Sequence, residues 1–291
     1  MHLILHTGAH FTEEERLMKC LLRNKGDFAN RGVAVPGPGQ YRRLLRDTLQ
    51  AMRGHTASPE ARDILLDDIL DGDQPDRLIL SNAHFFGAPR ACVRAGVLYP
   101  NAGERLAQFT QLFPNDQIEL FLALRNPATF LPAVFDKSPK EEMQDFLGNV
   151  DPCTIRWSMT LAHLQAVAPS VQFTVWCNED APLIWAQIIR EMANLKDGEK
   201  IAGGFDLLSA IMSQEGMARF RAYLKTHPVM TEQQKRRVIA AFLDKFALDE
   251  AIEEELDLPG WTDELVDEMT DVYDEDVMRI QQMPGVRMLL P

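Results

Sequence analysis

Apolar residues in this chain follow two alternating rhythms. Four short runs are almost continuously apolar: Leu3–His6 (LILH), Arg77–Ser81 (RLILS), Ile118–Leu124 (IELFLAL) and Val171–Trp176 (VQFTVW). Each is followed by turn chemistry. Runs of this kind fit strands covered on both faces, as in a parallel sheet. Between them the spacing becomes helical, over Glu13–Asn24, Tyr41–Met52, Glu60–Leu70, Ala102–Phe113 and Thr154–Ala168. In the last of these Trp157, Leu161, Leu164 and Ala168 share one face. Strands alternating with helices predict a doubly wound α/β fold, a parallel sheet flanked by helices, with ligands at the carboxyl ends of its strands.

After Cys177 the strand signal stops. Pro182 ahead of Leu183–Ala193 predicts a helix, and Gly203-Gly204 breaks it. From Phe205 onward every segment reads as helix. Thr231-Glu232-Gln233-Gln234 is a capping-box start, with Val238, Phe242 and Phe246 on the apolar face behind it. A final helix over about Asp263–Gln282 buries Leu265, Met269, Val272, Tyr273 and Ile280, with Asp276 at its edge. Pro284-Gly285 stops it. This pattern divides the chain into an α/β domain over residues 1–200 and a helical C-terminal extension over residues 201–291 packed on it.

Composition narrows the class. With 291 residues, 46% of them hydrophobic and 25% charged, the chain can bury a sizeable core. The apolar run Leu3–Leu5 is too short for a signal peptide, and no stretch approaches a membrane span. Cys20, Cys92, Cys153 and Cys177 form no CxxC pair, which fits free thiols in a reducing cytoplasm. The expected localisation is therefore cytoplasmic. The net charge is −13, but fourteen of the 43 acidic residues fall between Asp249 and Asp276, where there is no Lys or Arg. The remainder, holding all 30 bases, is close to neutral. Such a tail repels nucleic acid, so no nucleic-acid partner and no membrane partner are expected.

The candidate chemistry begins after the first strand, in Thr7-Gly8-Ala9-His10-Phe11-Thr12. A small-residue turn feeding a helix offers unpaired backbone N–H groups and a partial positive charge, which suit an anion. The turn lacks the GxxxxGK[ST] pattern of the nucleotide P-loop. Thr12 and Glu15 instead have capping-box spacing, and Glu13, Glu14 and Glu15 complement the helix dipole. Arg125, leaving the third run in Leu124-Arg125-Asn126-Pro127, could grip a phosphate or a carboxylate, or pair with an acidic neighbour. His10 and His84 follow two different runs and are expected to share a rim with Arg125 and Asn178-Glu179-Asp180. They lack the helix-borne spacing of a metal pair, so no metal is expected. No GxSxG, CxxC or HExxH motif is present.

These residues resemble a family. The opening LILHTGAHFTEEERLMKCLLRNKGDFANRGVAVPGPG is similar to the start of bacterial sulfotransferase-like proteins of the P-loop superfamily, whose cradle reads HxGxHKTGTT. His6, Gly8, His10 and Thr12 match, as do Asn24, Gly32, Val33 and Pro36 of the following turn and strand. LFLALRNPATFLPAVF is similar to that family's 3′-phosphate segment, and ELVDEMTDVYDEDVMRIQQMPGVRMLLP resembles its terminal helix. The resemblance implies a P-loop-type sheet with Thr7, Gly8, Ala9, Thr12 and Arg125 as donor-binding positions. It makes His10 the catalytic candidate, a general base with a pKa near neutrality.

The departures fall on the chemistry. The family's cradle lysine is Phe11 here, its glycine is Glu13, its two hydroxyl residues are Glu14 and Glu15, and the serine of the second motif is Ala133. Losing a cation and adding carboxylates beside a polyanion costs orders of magnitude in affinity. Arg42, Arg43 and Arg46, beyond the Pro36-Gly37-Pro38-Gly39 loop, are the cations left to replace the lysine. Arg42 and His84 are the substrate-side candidates. The reading is a sulfotransferase-like protein with a degenerate donor site, non-catalytic or repurposed to bind a small molecule or protein partner. The alternative is a divergent transferase using 3′-phosphoadenosine 5′-phosphosulfate; only in that case is a donor nucleotide expected.

Overall fold

The computed structural model describes residues 1–13, 15–252 and 258–291. Among the described residues eight strands run in chain order: β1 (His2–His6), β2 (Val33–Ala34), β3 (Arg77–Ser81), β4 (Val93–Arg94), β5 (Val97–Leu98), β6 (Gln117–Leu124), β7 (Gln172–Cys177) and β8 (Val286–Met288). Six of them form one sheet in the order β2-β3-β1-β6-β7-β8, and β4 and β5 make a separate antiparallel pair. Every pairing in the large sheet is parallel. The fold is thus α/β, a six-stranded parallel sheet flanked by helices.

The continuous apolar runs have a direct cause. Side chains alternate across a strand, and here both faces are covered. Leu3, Leu5, Leu78, Leu80, Leu120 and Leu122 point to one core. Ile4, Ile79, Phe121, Ala123 and Trp176 point to the other. Helices Pro38–Ala51, Ala102–Leu112, Trp157–Val167 and Asp263–Gln281 cover the first face, and Arg16–Arg23 and Ala181–Met192 cover the second. A third, smaller core around Leu208, Met217 and Phe220 joins helices Asp206–Ile211, Gln214–Thr226 and Glu232–Phe246.

From β1 the chain passes to β2 and β3 on one side, then crosses to β6 and β7 on the other. The order reverses beside β1, and the crevice outside the carboxyl ends of β1 and β6 is where such sheets take ligands.

Three expectations are corrected. A strand does follow Cys177: β8 pairs with β7 through Phe173–Val286, Thr174–Arg287 and Val175–Met288. Three residues are too few to show a period, so the pairing, not the pattern, makes the strand. The first helix begins at Arg16, three residues after the expected start, because Phe11 and Glu15 both adopt left-handed backbone (φ 59° and 65°). Asp276 is buried, not at an edge; its carboxylate accepts from the backbone N–H of Ser158 at 3.0 Å and from the Ser158 hydroxyl. Part of the acidic tail, residues 253–257, lies outside the described residues.

Candidate functional site

Parallel strands bring their following loops to one edge. Thr7–Thr12 after β1, Asn82–His84 after β3, Arg125-Asn126 after β6 and Asn178-Glu179 after β7 all lie there. The β1 loop is an extension of the sheet before it becomes a turn. Thr7 and Ala9 donate their N–H groups to the carbonyls of Phe121 and Ala123, each at 3.1 Å. Gly8 between them has φ 50°, a conformation that favours glycine. A side chain there would meet His6 Nε2 at 3.5 Å and the Thr12 hydroxyl at 3.6 Å, so both face the inside of the turn.

The capping box expected of Thr12 and Glu15 does not form. The Thr12 hydroxyl donates to the Ala9 carbonyl at 2.9 Å, and Glu15 precedes the helix without a side-chain cap. Glu13 takes the position instead. Its Oε2 accepts the N–H of Leu17, in the helix's first turn, at 2.8 Å. Burial pushes the Glu13 carboxyl up to about 7, although the Leu17 N–H and the nearby Arg42 and Arg16 oppose the shift. Glu14 lies outside the described residues.

The cations at this edge are engaged by the protein's own acceptors. Arg125 is buried and donates from Nη1 to the Phe11 carbonyl at 2.6 Å and from Nε to the Thr129 hydroxyl at 3.1 Å. Arg42 donates from Nε and Nη2 to the Ser81 carbonyl at 3.0 and 2.9 Å, and its Nη2 reaches Glu15 at 2.7 Å. Arg43 and Arg46 lie further out, both beside Asp47.

The histidines divide between the two faces. His6 stacks on Trp176 with centroids 5.9 Å apart, and its Nδ1 is 2.8 Å from the Ser81 hydroxyl. Burial, assisted by Arg42, lowers it to about 3. His10 faces Tyr99, whose hydroxyl accepts the His10 backbone N–H at 2.9 Å and lies 2.7 Å from Nδ1. The direction of the bond between the hydroxyl and Nδ1 follows the imidazole tautomer, since a neutral imidazole carries one N–H. Burial and then His84 lower His10 to about 4, against the pull of the Gly87 carbonyl. The His84 ring stands edge-on to His10 at 5.1 Å. Three buried polar atoms here have no partner among the described residues: His6 Nε2, Thr7 Oγ1 and His10 Nε2.

A cleft of about 840 Å³ opens between this edge and the helical region, walled by Phe11, Thr12, Arg125 and Glu179 on one side and by Leu207 and Leu243 on the other. His10, His84 and Arg42 are not in its walls. Glu179 accepts from the Asn126 N–H at 2.8 Å and from the Tyr273 hydroxyl at 3.2 Å, tying β6 and β7 to the last helix. Sequence reasoning missed Tyr99, the contact of Tyr273 with Glu179 and the part played by Glu13. Nothing local marks the tyrosines. For Glu13 the signal was present, the first of three glutamates in a turn where small residues belong.

Among the described residues, no group of three or more His, Cys, Asp or Glu could hold a metal ion, and no helix is long and apolar enough to cross a membrane. The four cysteines are free. No known family, curated protein or solved structure matches this chain, so the sheet and the geometry of its carboxyl edge are what identify it: an α/β protein with a six-stranded parallel sheet.

Proposed function

We propose that this is a sulfotransferase-like binding protein without transferase activity, whose cleft takes a small molecule or a protein partner. The observation that carries the reading is the Glu13 carboxylate on the Leu17 N–H. A phosphosulfate donor would need that helix amino end, and a carboxylate of the chain is already there. The residues do not fit the donor in other respects. Phe11 supplies no cation, Arg42 is tied to Glu15 and Ser81, and Arg125 holds the Phe11 carbonyl. The cleft has the size and mixed lining of a small-molecule site.

The divergent transferase reading draws on His10 and Arg125 sharing one edge of the sheet. A histidine lowered to about 4, with Nδ1 facing Tyr99, is a weak base at neutral pH. Calorimetric titration of adenosine 3′,5′-bisphosphate into the full chain decides between them. No binding is expected at millimolar nucleotide. Micromolar binding would overturn the proposal in favour of the transferase.

A further inference from the structure

The way Glu13 fills the turn has a regulatory consequence, which rests on the reading of this loop as a closed anion cradle. We propose that Glu13 is an autoinhibitory carboxylate, an internal competitor that keeps small tetrahedral oxyanions off the amino end of helix Arg16–Arg23 and yields to them when it is protonated.

Two independent observations carry it. First, Glu13 Oε2 lies 2.8 Å from the Leu17 N–H, in the first turn of the helix, where the dipole favours an anion. Second, His6, only 2% exposed, aims into the turn that feeds this helix, beside Gly8 and Thr12, an Nε2 that has no partner among the described residues. An oxyanion seated there would accept from the Leu17 amide, and from His6 when Nε2 carries the proton. The carboxylate satisfies the first donor and leaves the second without a partner.

The charges facing Glu13 come from several elements. Glu15 of its own loop repels it, while Arg16 of the following helix and Arg42 of helix Pro38–Ala51 attract it. Arg125, from the end of β6, holds the Phe11 carbonyl two residues away. His6 of β1 stays neutral at physiological pH because it titrates at about 3. Burial of Glu13 brings its own titration to about 7, so the carboxylate is present at pH 8 and largely protonated at pH 6. His10 titrates at about 4, and His84 is lowered from its ordinary value by burial and Arg42. The His10 value lies below that window, and the Glu13→Gln comparison separates any His84 contribution from the Glu13 transition.

Sulfate is the probe, because it remains a dianion from pH 6 to pH 8. Calorimetric titration is made on the full-length wild type and on Glu13→Gln at both pH values, with melting curves confirming the folded state. Wild type is expected to bind sulfate more tightly at pH 6 than at pH 8. Glu13→Gln should gain about tenfold over wild type at pH 8, the size of effect when one partly buried charge leaves a helix amino end, and lose most of the pH dependence. Equal wild-type affinity at the two pH values, or no gain in the folded variant, overturns the inference. Should Glu13→Gln not fold, Glu13→Ala takes its place in the same comparison. Failure here leaves the proposed function standing; that reading falls only to tight binding of the nucleotide.

Discussion

Two helices in this chain carry the same starting signature and begin in different ways. Thr231-Glu232-Gln233-Gln234 and Thr12-Glu13-Glu14-Glu15 both place a hydroxyl three residues before a Gln or Glu. At Thr231 the box forms in full: extended backbone (φ −69°, ψ 160°), the hydroxyl accepting the Gln234 N–H at 3.2 Å, and Gln234 accepting the Thr231 N–H at 2.9 Å. At Thr12 it does not form. Thr231 enters from an open connection, whereas Thr12 follows a loop pinned to β6 through Ala9 and to Arg125 through Phe11. A local motif sets a helix start only where the chain before it is free to take the cap's geometry.

A third helix sharpens the comparison. Trp157–Val167 has no cap from its own preceding residue, and Asp276 of the last helix supplies one across 118 positions of chain. Asp276→Ala should have the largest effect of the set. It leaves the Ser158 N–H and hydroxyl without their acceptor in a buried site, at a cost of about 3 kcal/mol. Denaturant unfolding reads it. A loss no greater than that of an ordinary exposed cap would mean that water replaces the carboxylate and the distant cap is dispensable.

Glu13 provides the next effect, and it depends on pH. Its folded value of about 7 lies above the ordinary 4.5, so between these limits the folded state holds more protons than the unfolded state. Stability contributed by this group therefore falls as pH rises from about 4.5 to about 7, and is flat beyond. Glu13→Gln should remove that slope, worth about 1–2 kcal/mol once partial exposure of the group is discounted. Parallel stability curves for the two proteins across this range would show that Glu13 titrates as an ordinary surface carboxyl.

What the sequence made legible follows the same division. Strands at His2–His6, Arg77–Ser81, Gln117–Leu124 and Gln172–Cys177 were readable because each is long enough to show its apolar run. Their shared edge followed from parallel order, which placed Arg125, His10, His84 and Asn178 together. The short β8 was not readable, since its pairing with β7 comes from the far end of the chain. Nor was the partnership of His10 with Tyr99, 89 positions away. Within the turn, the glutamates were visible, but which of them would meet the helix depended on the left-handed backbone at Phe11 and Glu15.

Thr231→Ala should cost about 1 kcal/mol, the usual loss when a working cap is removed. It serves as the reference for the smallest effect, that of Thr12→Ala. Among the described residues the Thr12 hydroxyl makes only its bond to the Ala9 carbonyl, in a half-buried position where water can replace it. A bond of this kind is worth about 0.5 kcal/mol at the low end of its range. The helix itself should not respond, because its first-turn acceptor is Glu13. Equilibrium unfolding of both variants in urea, side by side, measures the difference. A Thr12→Ala loss equal to that of Thr231→Ala would mean that the box forms in solution after all. Glu13 would then have no claim on the Leu17 amide, and the closed cradle would have to be rebuilt around Thr12 and Glu15.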